Sequence, residues 1–297
     1  MKVKSWLEAF RLRTLPLSVS GIIMGSFIAK SKGYWDLSIF IFAILTTVLF
    51  QIVSNLANDL GDSLKGTDNE NRVGPARTVQ KGEISVNQMK TAVFMFSLFS
   101  LISAAYLIFI SSKGMTLETI YIYVGLAIAS VLAAVTYTIG KRAYGYYGFG
   151  DLFVFLFFGL VSVMGSFTLY SKSFDWDTIF PAITIGLLST AVLNLNNMRD
   201  QVNDKISNKN TLVVKLGFNR AKFYHVGLIM IALTSFLAYF RFELKGLIFA
   251  IPFILLLMHL KKVVQVLDPK DFDPELKKVA LSTFFLSVFF AILSIID

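Results

Sequence analysis

The stretch Leu37-Ser38-Ile39-Phe40-Ile41-Phe42-Ala43-Ile44-Leu45-Thr46-Thr47-Val48-Leu49-Phe50-Gln51-Ile52-Val53-Ser54 runs without a break into Asn55-Leu56-Ala57-Asn58-Asp59-Leu60-Gly61-Asp62, with Asp68 just beyond. Its first part is apolar for nearly the roughly 20 helical residues that a bilayer core about 30 Å thick requires. Its second part carries carboxylates and carboxamides, which are costly near hydrocarbon and mark a site or a pathway. The same junction recurs about 140 residues later, where an apolar run over 178–195 meets Asn196-Asn197-Met198-Arg199-Asp200, with Asp204 beyond. Two clusters of one chemistry at equivalent places imply one shared task.

Composition identifies the solvent. The chain has 55% hydrophobic, 14% aromatic and only 16% charged residues, and its mean hydropathy is +0.67. Those values lie outside the range of soluble domains. The reading is an all-α polytopic membrane protein with nine transmembrane helices, at 15–29, 37–54, 91–112, 117–139, 149–170, 178–195, 223–240, 246–260 and 279–296. Lys2, Lys4, Arg11 and Arg13 precede the first run. No small-residue cleavage site follows and Lys30-Ser31-Lys32 closes the segment, so it is read as a helix rather than a removable signal.

With nine crossings, 22 of the 28 Lys and Arg residues fall on the N-terminal side. The positive-inside rule then makes the N-terminus cytoplasmic and the C-terminus external, in a bacterial cytoplasmic (inner) membrane. Both acidic clusters lie on the basic, cytoplasmic side. The net charge of +9 is spread over membrane-flanking loops, which points to anionic lipid and not to nucleic acid. There is no cysteine, so disulfides and thiolate sites are excluded.

An acidic cluster followed by a basic loop closes both the second and the sixth helix, and Trp35 and Trp176 stand just before these helices. The expectation is a single membrane domain over 1–297, built from two related four-helix units, about 1–145 and 146–297, with a ninth helix, around a central cavity. The tryptophans are expected to anchor the interface.

Asn58 and Asp62 are four residues apart, as are Asp200 and Asp204, so each pair shares one helix face. Hard divalent ions take oxygen ligands, and Mg²⁺ is usually held by one or two carboxylates with substrate phosphates and water. The metal set is therefore Asn58, Asp62, Asp68, Asp200 and Asp204, with Asp62, Asp200 and Asp204 as the catalytic carboxylates. Helix capping explains an isolated acid. It does not explain acids gathered twice at C-terminal helix ends, where the helix dipole disfavours negative charge. The loop Gly66–Gly82 is rich in turn residues and brings Arg72, Arg77 and Lys81 as partners for a diphosphate. Lys141 with Arg142, and Lys209, are a second basic set on the same side, and Tyr137, Tyr144 and Tyr147 lie nearest the clusters in sequence.

These motifs resemble the UbiA superfamily of intramembrane aromatic prenyltransferases. The resemblance runs from Arg13-Thr14-Leu15-Pro16 to about Gly217. It is carried by Asn58-Asp59-Leu60-Gly61-Asp62 with Asp68, and by Asn196-Asn197-Met198-Arg199-Asp200 with Asp204, followed by Lys209-Asn210-Thr211-Leu212. Within the superfamily, the branch that prenylates 1,4-dihydroxy-2-naphthoate in menaquinone synthesis is indicated by Arg72-Val73-Gly74-Pro75-Ala76-Arg77, Gln80-Lys81-Gly82, and Tyr137-Thr138 leading to Tyr144-Gly145-Tyr146-Tyr147-Gly148-Phe149-Gly150-Asp151. Lys141-Arg142 is also similar to hydroxybenzoate-type members, which keeps 4-hydroxybenzoate as the alternative acceptor.

The resemblance implies a cavity open to the cytoplasm and sideways to lipid, Mg²⁺ on the two motifs, and a polyprenyl diphosphate whose allylic C–O bond ionises before the aromatic ring attacks. It also implies loss of carbon dioxide and formation of demethylmenaquinone. Asn58, Arg72, Arg77, Lys81, Tyr137, Lys141, Tyr144, Asn197 and Lys209 are the expected substrate contacts, and no general base is assigned.

A secondary transporter would place its acids near the bilayer midplane at broken helices. Here they sit at helix ends, and only Gly186 interrupts either helix. A phosphatidyltransferase would gather its acids in one short motif. His225 and His259 follow no ligand spacing and are read as interface or packing residues. Residues 263–278 are read as a charged, solvated connector. Gly145, Gly148 and Gly150 follow no strand, which excludes a dinucleotide loop.

Overall fold

The computed structural model describes residues 3–69 and 73–296, whose regular structure is all helical, with no strand among them. A short helix, α1 (Val3–Phe10), lies before the first long helix, α2 (Leu15–Ser31). The break between them is at Arg11, which has a left-handed φ of 50°. The long helices α3 (Leu37–Leu64), α4 (Val86–Ser111) and α5 (Leu117–Thr136) follow, then α6 (Gly150–Ser171) and α7 (Ile179–Ile206). A one-turn α8 (Leu212–Leu216) leads into α9 (Phe218–Tyr239), α10 (Leu244–Phe249), α11 (Phe253–Gln265) and α12 (Phe272–Ile296).

Among the described residues, eight helical stretches are long and apolar enough to cross a membrane. The ninth expected crossing, 246–260, is divided into α10 and α11 by a turn over Ala250-Ile251-Pro252. Pro252 has no N–H for the carbonyl of Ile248, and its ring crowds that carbonyl, so an unbroken helix is not available there. The expected spans at 37–54 and 178–195 are the apolar parts of longer helices. Both α3 and α7 have 28 residues and carry their polar clusters on their last turns instead of in loops.

Caps begin several of these helices. Asp36 accepts from the N–H groups of Ser38 and Ile39 at the start of α3, and Ser85 with Gln88 forms a capping box on α4. Helix α7 is the most buried of the long helices, packing on α6, α9 and α12, while α2 packs on α12, α6 and α3. Helix α5 touches mainly α3 and α4 and is otherwise exposed. Trp35 stacks on Tyr170 with ring centroids 5.9 Å apart, Trp176 meets Phe174 edge to face at 4.7 Å, and both tryptophans are exposed.

Helix α6 is wound as a π-helix from Phe155 to Gly165. It approaches its neighbours where side chains are absent. A Cβ on Gly159 would lie 2.6 Å from the Ala182 carbonyl oxygen and 2.7 Å from the Gly186 Cα, and one on Gly25 would lie 2.2 Å from the Val163 carbonyl oxygen. Small residues at such crossings let membrane helices pack backbone to backbone. Gly159→Leu is expected to force α6 off α7 and to destabilise the purified protein by at least about 1–3 kcal/mol, the usual cost of overpacking. Thermal unfolding in detergent, compared with Gly125→Leu, where a Cβ meets nothing within 4 Å, measures this.

Candidate active site

Helix α3 keeps its regular hydrogen bonding through Leu64, so its polar residues fall on faces set by the helical period. Asn55 turns to the N-terminal segment and donates to the Phe10 carbonyl (2.9 Å) and to Thr14 Oγ1 (3.1 Å). Asp59 accepts from Thr78 Oγ1 at 2.7 Å. Asp62 is buried, and Asn58 lines the cavity below it.

The loop after α3 folds back over these residues. Arg77 Nη1 lies 2.9 Å from Asp62 Oδ2 and donates to the Asn58 carbonyl at 2.7 Å, while its Nε lies 3.3 Å from Asp68 Oδ1. The same loop reaches the second cluster, where the Gly74 N–H donates to Asp200 Oδ1 at 3.3 Å. Lys209, just after α7, places its Nζ 3.6 Å from Asp62 Oδ2 and 3.9 Å from Asp204 Oδ1. Asn203 donates to the Thr67 carbonyl at 2.9 Å. The two clusters therefore form one mouth, bridged by a loop and by a lysine.

Arg77 and Lys209 are buried among carboxylates. Burial by itself would pull both pKa values down. Asp62 and Asp68 outweigh it at Arg77, as Asp62 and Asp204 do at Lys209, so both cations are held above their ordinary values. They remain protonated across the physiological range and give the mouth fixed positive charge. Lys65 is shifted the other way, because burial outweighs its attraction to Asp62 and Lys209 repels it. Its Nζ sits over the Tyr146 ring, 3.9 Å from the centroid.

Sequence order pointed to Tyr137, Tyr144 and Tyr147, and the residue between the last two was missed. Tyr146 donates to Asp62 Oδ1 at 2.8 Å and shares a 2.6 Å hydrogen bond with Thr67 Oγ1. Tyr147 is exposed. The turn Tyr144–Tyr147 ends at Gly148 with φ 86°, and this tight geometry directs adjacent tyrosines to opposite sides. Burial and then the Asp62 charge raise the Tyr146 phenol well above its ordinary pKa, so it stays a donor. Tyr137 and Tyr144 meet edge to face at 5.3 Å, and the Tyr144 hydroxyl donates to the Ala133 carbonyl.

Other expected contacts are not brought together. Lys81 pairs with Glu8 at 3.0 Å on the surface, away from the carboxylates, and Lys141 is exposed on its loop. Asn197 is buried on α7. Arg72 lies outside the described residues. His225 and His259, read as unpaired, are hydrogen-bonded to each other through Nε2 at 2.9 Å, and His259 Nδ1 meets Glu275 at 2.5 Å. Glu275, read as part of a solvated connector, is buried and also accepts from Lys278 at 2.6 Å. No spacing rule links residues on three helices, so this network was not legible beforehand.

Below the mouth is a cavity of about 310 Å³, lined mainly by apolar side chains from α2 to α6. Asn58, Tyr137 and Tyr144 stand at its mouth end, and Ala43, Tyr123 and Gly165 lie deeper. Asn58 thus belongs to both the polar mouth and the apolar cavity. Its Oδ1 is buried with no hydrogen-bond partner, an acceptor suited to a cation. Among the described residues no three His, Cys, Asp or Glu side chains converge on one point. Mg²⁺ does not require this, since one or two carboxylates suffice when phosphate and water complete the shell. The all-oxygen donors of the two motifs fit such an ion.

Known proteins resemble the chain over almost its whole length. The UbiA prenyltransferase family matches residues 18–291. A 1,4-dihydroxy-2-naphthoate octaprenyltransferase of Escherichia coli is 38% identical over 297 residues, covering 98% of this chain and 95% of its own. One from Haemophilus influenzae is 37% identical over 300 residues, covering 98% and 96%. A UbiA homologue from Archaeoglobus fulgidus solved with DMAPP and Mg²⁺ has a TM-score of 0.67 at 13% identity, covering 98% of this chain and 99% of that one, and supports the fold.

The two lysine and arginine placements separate experimentally. Arg77→Ala leaves buried carboxylates uncompensated and is expected to cost about 3–5 kcal/mol of stability. Lys81→Ala breaks an exposed pair and is expected to cost under about 1 kcal/mol. Thermal unfolding of both variants in detergent checks the contrast.

Proposed function

The chain belongs to the UbiA prenyltransferase family, and on that premise we propose that it transfers a polyprenyl group from polyprenyl diphosphate to 1,4-dihydroxy-2-naphthoate. Carbon dioxide and diphosphate are released and the prenylated 1,4-dihydroxynaphthalene, demethylmenaquinol, is formed; the expected demethylmenaquinone follows only after a separate two-electron oxidation. The observation that carries this reading is the junction at Asn58, where a carboxylate- and arginine-lined mouth opens onto an apolar cavity. A substrate with a charged head and a hydrocarbon tail matches both parts. The full-length identity to dihydroxynaphthoate octaprenyltransferases supports the acceptor.

In this mechanism Arg77 and Lys209 bind the diphosphate, with Arg72 a further candidate from the same loop. Asn58, Asp62 and Asp68 on one side, and Asp200 and Asp204 on the other, would hold Mg²⁺, which would supply neutralisation of the charge on the departing diphosphate. Tyr146 and Arg77 orient Asp62. As the allylic C–O bond breaks, its electron pair leaves with diphosphate. The cavity wall, with Phe153 and Phe157 beside Tyr137 and Tyr144, keeps water from the allylic cation and offers ring faces to its charge. The ring carbon bearing the carboxylate forms the new C–C bond, and loss of carbon dioxide from that carbon restores aromaticity.

The protein is a multi-pass membrane protein. Its Lys and Arg distribution supports a bacterial cytoplasmic membrane location with the mouth and N-terminus inside and, if α10 and α11 together make one crossing, the C-terminus outside. The matched lengths of α3 and α7, each ending in a carboxylate motif, support a single domain of two related halves.

Purified protein supplied with farnesyl or geranylgeranyl diphosphate, either 1,4-dihydroxy-2-naphthoate or 4-hydroxybenzoate, and with or without Mg²⁺, is expected to give a prenylated, decarboxylated naphthalene only with Mg²⁺, read by mass spectrometry. Product from hydroxybenzoate alone would overturn the acceptor. Asp62→Asn and Asp200→Asn are expected to lower turnover at least about 10²-fold, the scale of a lost electrostatic contribution, while remaining folded. Either variant retaining most of its activity would refute the ligand set.

A further inference from the structure

Helix α12 enters the mouth. Arg199, next to Asp200 on α7, donates from Nε to Asp200 Oδ1 (3.0 Å) and from Nη2 to Asp200 Oδ2 (2.7 Å) and Asn196 Oδ1 (2.8 Å). Its remaining nitrogen, Nη1, donates to Asp273 Oδ1 at 2.5 Å, on the first turn of α12. The guanidinium is buried, and a Cβ on Gly74 would lie 2.6 Å from Nη2, so the loop from the first cluster closes against it. Asp200 therefore shares its charge with a fixed arginine that has a second carboxylate on its far side.

The position of Asp273 is not accidental to a mobile connector. Two residues on, Glu275 is buried and clamped by His259 and Lys278, with His225 behind His259. That network ties the start of α12 to α9 and α11 and holds Asp273 where Arg199 reaches it. A bidentate arginine alone would neutralise Asp200 and compete with any cation brought to it. With Asp273 on the opposite edge of the guanidinium, the trio retains a net negative charge.

We propose that Asp273 is a positioning residue for the second motif, taking up the charge of Arg199 so that Asp200 stays available to a divalent cation with diphosphate. This rests on the prenyl-diphosphate reading of the mouth. It predicts an effect of Asp273 on cation binding that exists only while Arg199 is present.

The test uses the full-length protein in detergent, reading thermal stabilisation against Mg²⁺ concentration at fixed inorganic diphosphate. Asp273→Asn is expected to raise the Mg²⁺ needed for half-maximal stabilisation roughly fivefold, the scale of a partly exposed charge pair. In an Arg199→Gln background, adding Asp273→Asn is expected to change nothing further. An unchanged Mg²⁺ response in Asp273→Asn, no Mg²⁺ response in the wild type, or an undiminished effect of Asp273→Asn in the Arg199→Gln background would overturn the proposal. Asp273→Glu keeps the charge, and its failure to retain the wild-type Mg²⁺ response would overturn it too. Prenyl transfer by the wild type, measured in parallel, tests the underlying reading separately: a protein that shows the predicted Mg²⁺ pattern but transfers no prenyl group removes the enzyme reading and not the role of Asp273.

Discussion

Negative charge gathered at the C-terminal ends of two long helices is the constraint from which the rest follows. A helix C-terminus already carries partial negative charge, and burial raises the cost of adding carboxylates there. Arg77 and Lys209 offset that cost on the α3 side, and Arg199 does so on α7. The loop after α3 must fold back to deliver Arg77, and in doing so it brings Gly74 onto Asp200. One electrostatic requirement thus shapes the loop, joins the two helix ends and leaves Asn58 with an uncommitted oxygen beside the cavity.

Below the mouth the forces are different. Lipid offers little hydrophobic drive for one helix to prefer another, so close contact depends on small residues, and α6 meets α2 and α7 through Gly25, Gly159 and Gly186. Helix α5 reaches α6 at Tyr123, whose hydroxyl donates to the Gly165 carbonyl at 2.7 Å. The space left between tightly packed and loosely packed walls is the cavity. Tight packing on one side and loose packing on the other give an apolar chamber with its polar end at the carboxylates.

Much of this was legible in the order of residues. The two motifs, Arg77 and Lys209 were identified because local spacing and charge type suffice: Arg77 reaches Asp62 and Asp68 across a short loop. Lys81 has the same charge four residues later and points to Glu8 instead, a difference made by the turn that follows Thr78. Tyr146 and Tyr147 are chemically identical neighbours, and only the conformation of their turn sends the first to Asp62. Pro252 carried a signal for the broken helix that hydropathy alone conceals.

The sequence by itself determined the membrane solvent, the long apolar helices other than the one broken at Pro252, the residue types gathered at the mouth and the family to which the chain belongs, because apolar run length and the spacing of charged side chains act over a few turns. Tertiary structure alone decided which distant groups meet: Asn203 with Thr67 across 136 positions, Arg199 with Asp273 across 74, and His225 with His259 across 34. Those pairings depend on the order in which helices pack around α7, which is set by glycine contacts and by the cost of leaving buried polar groups unpaired. Neither can be read from one segment in isolation.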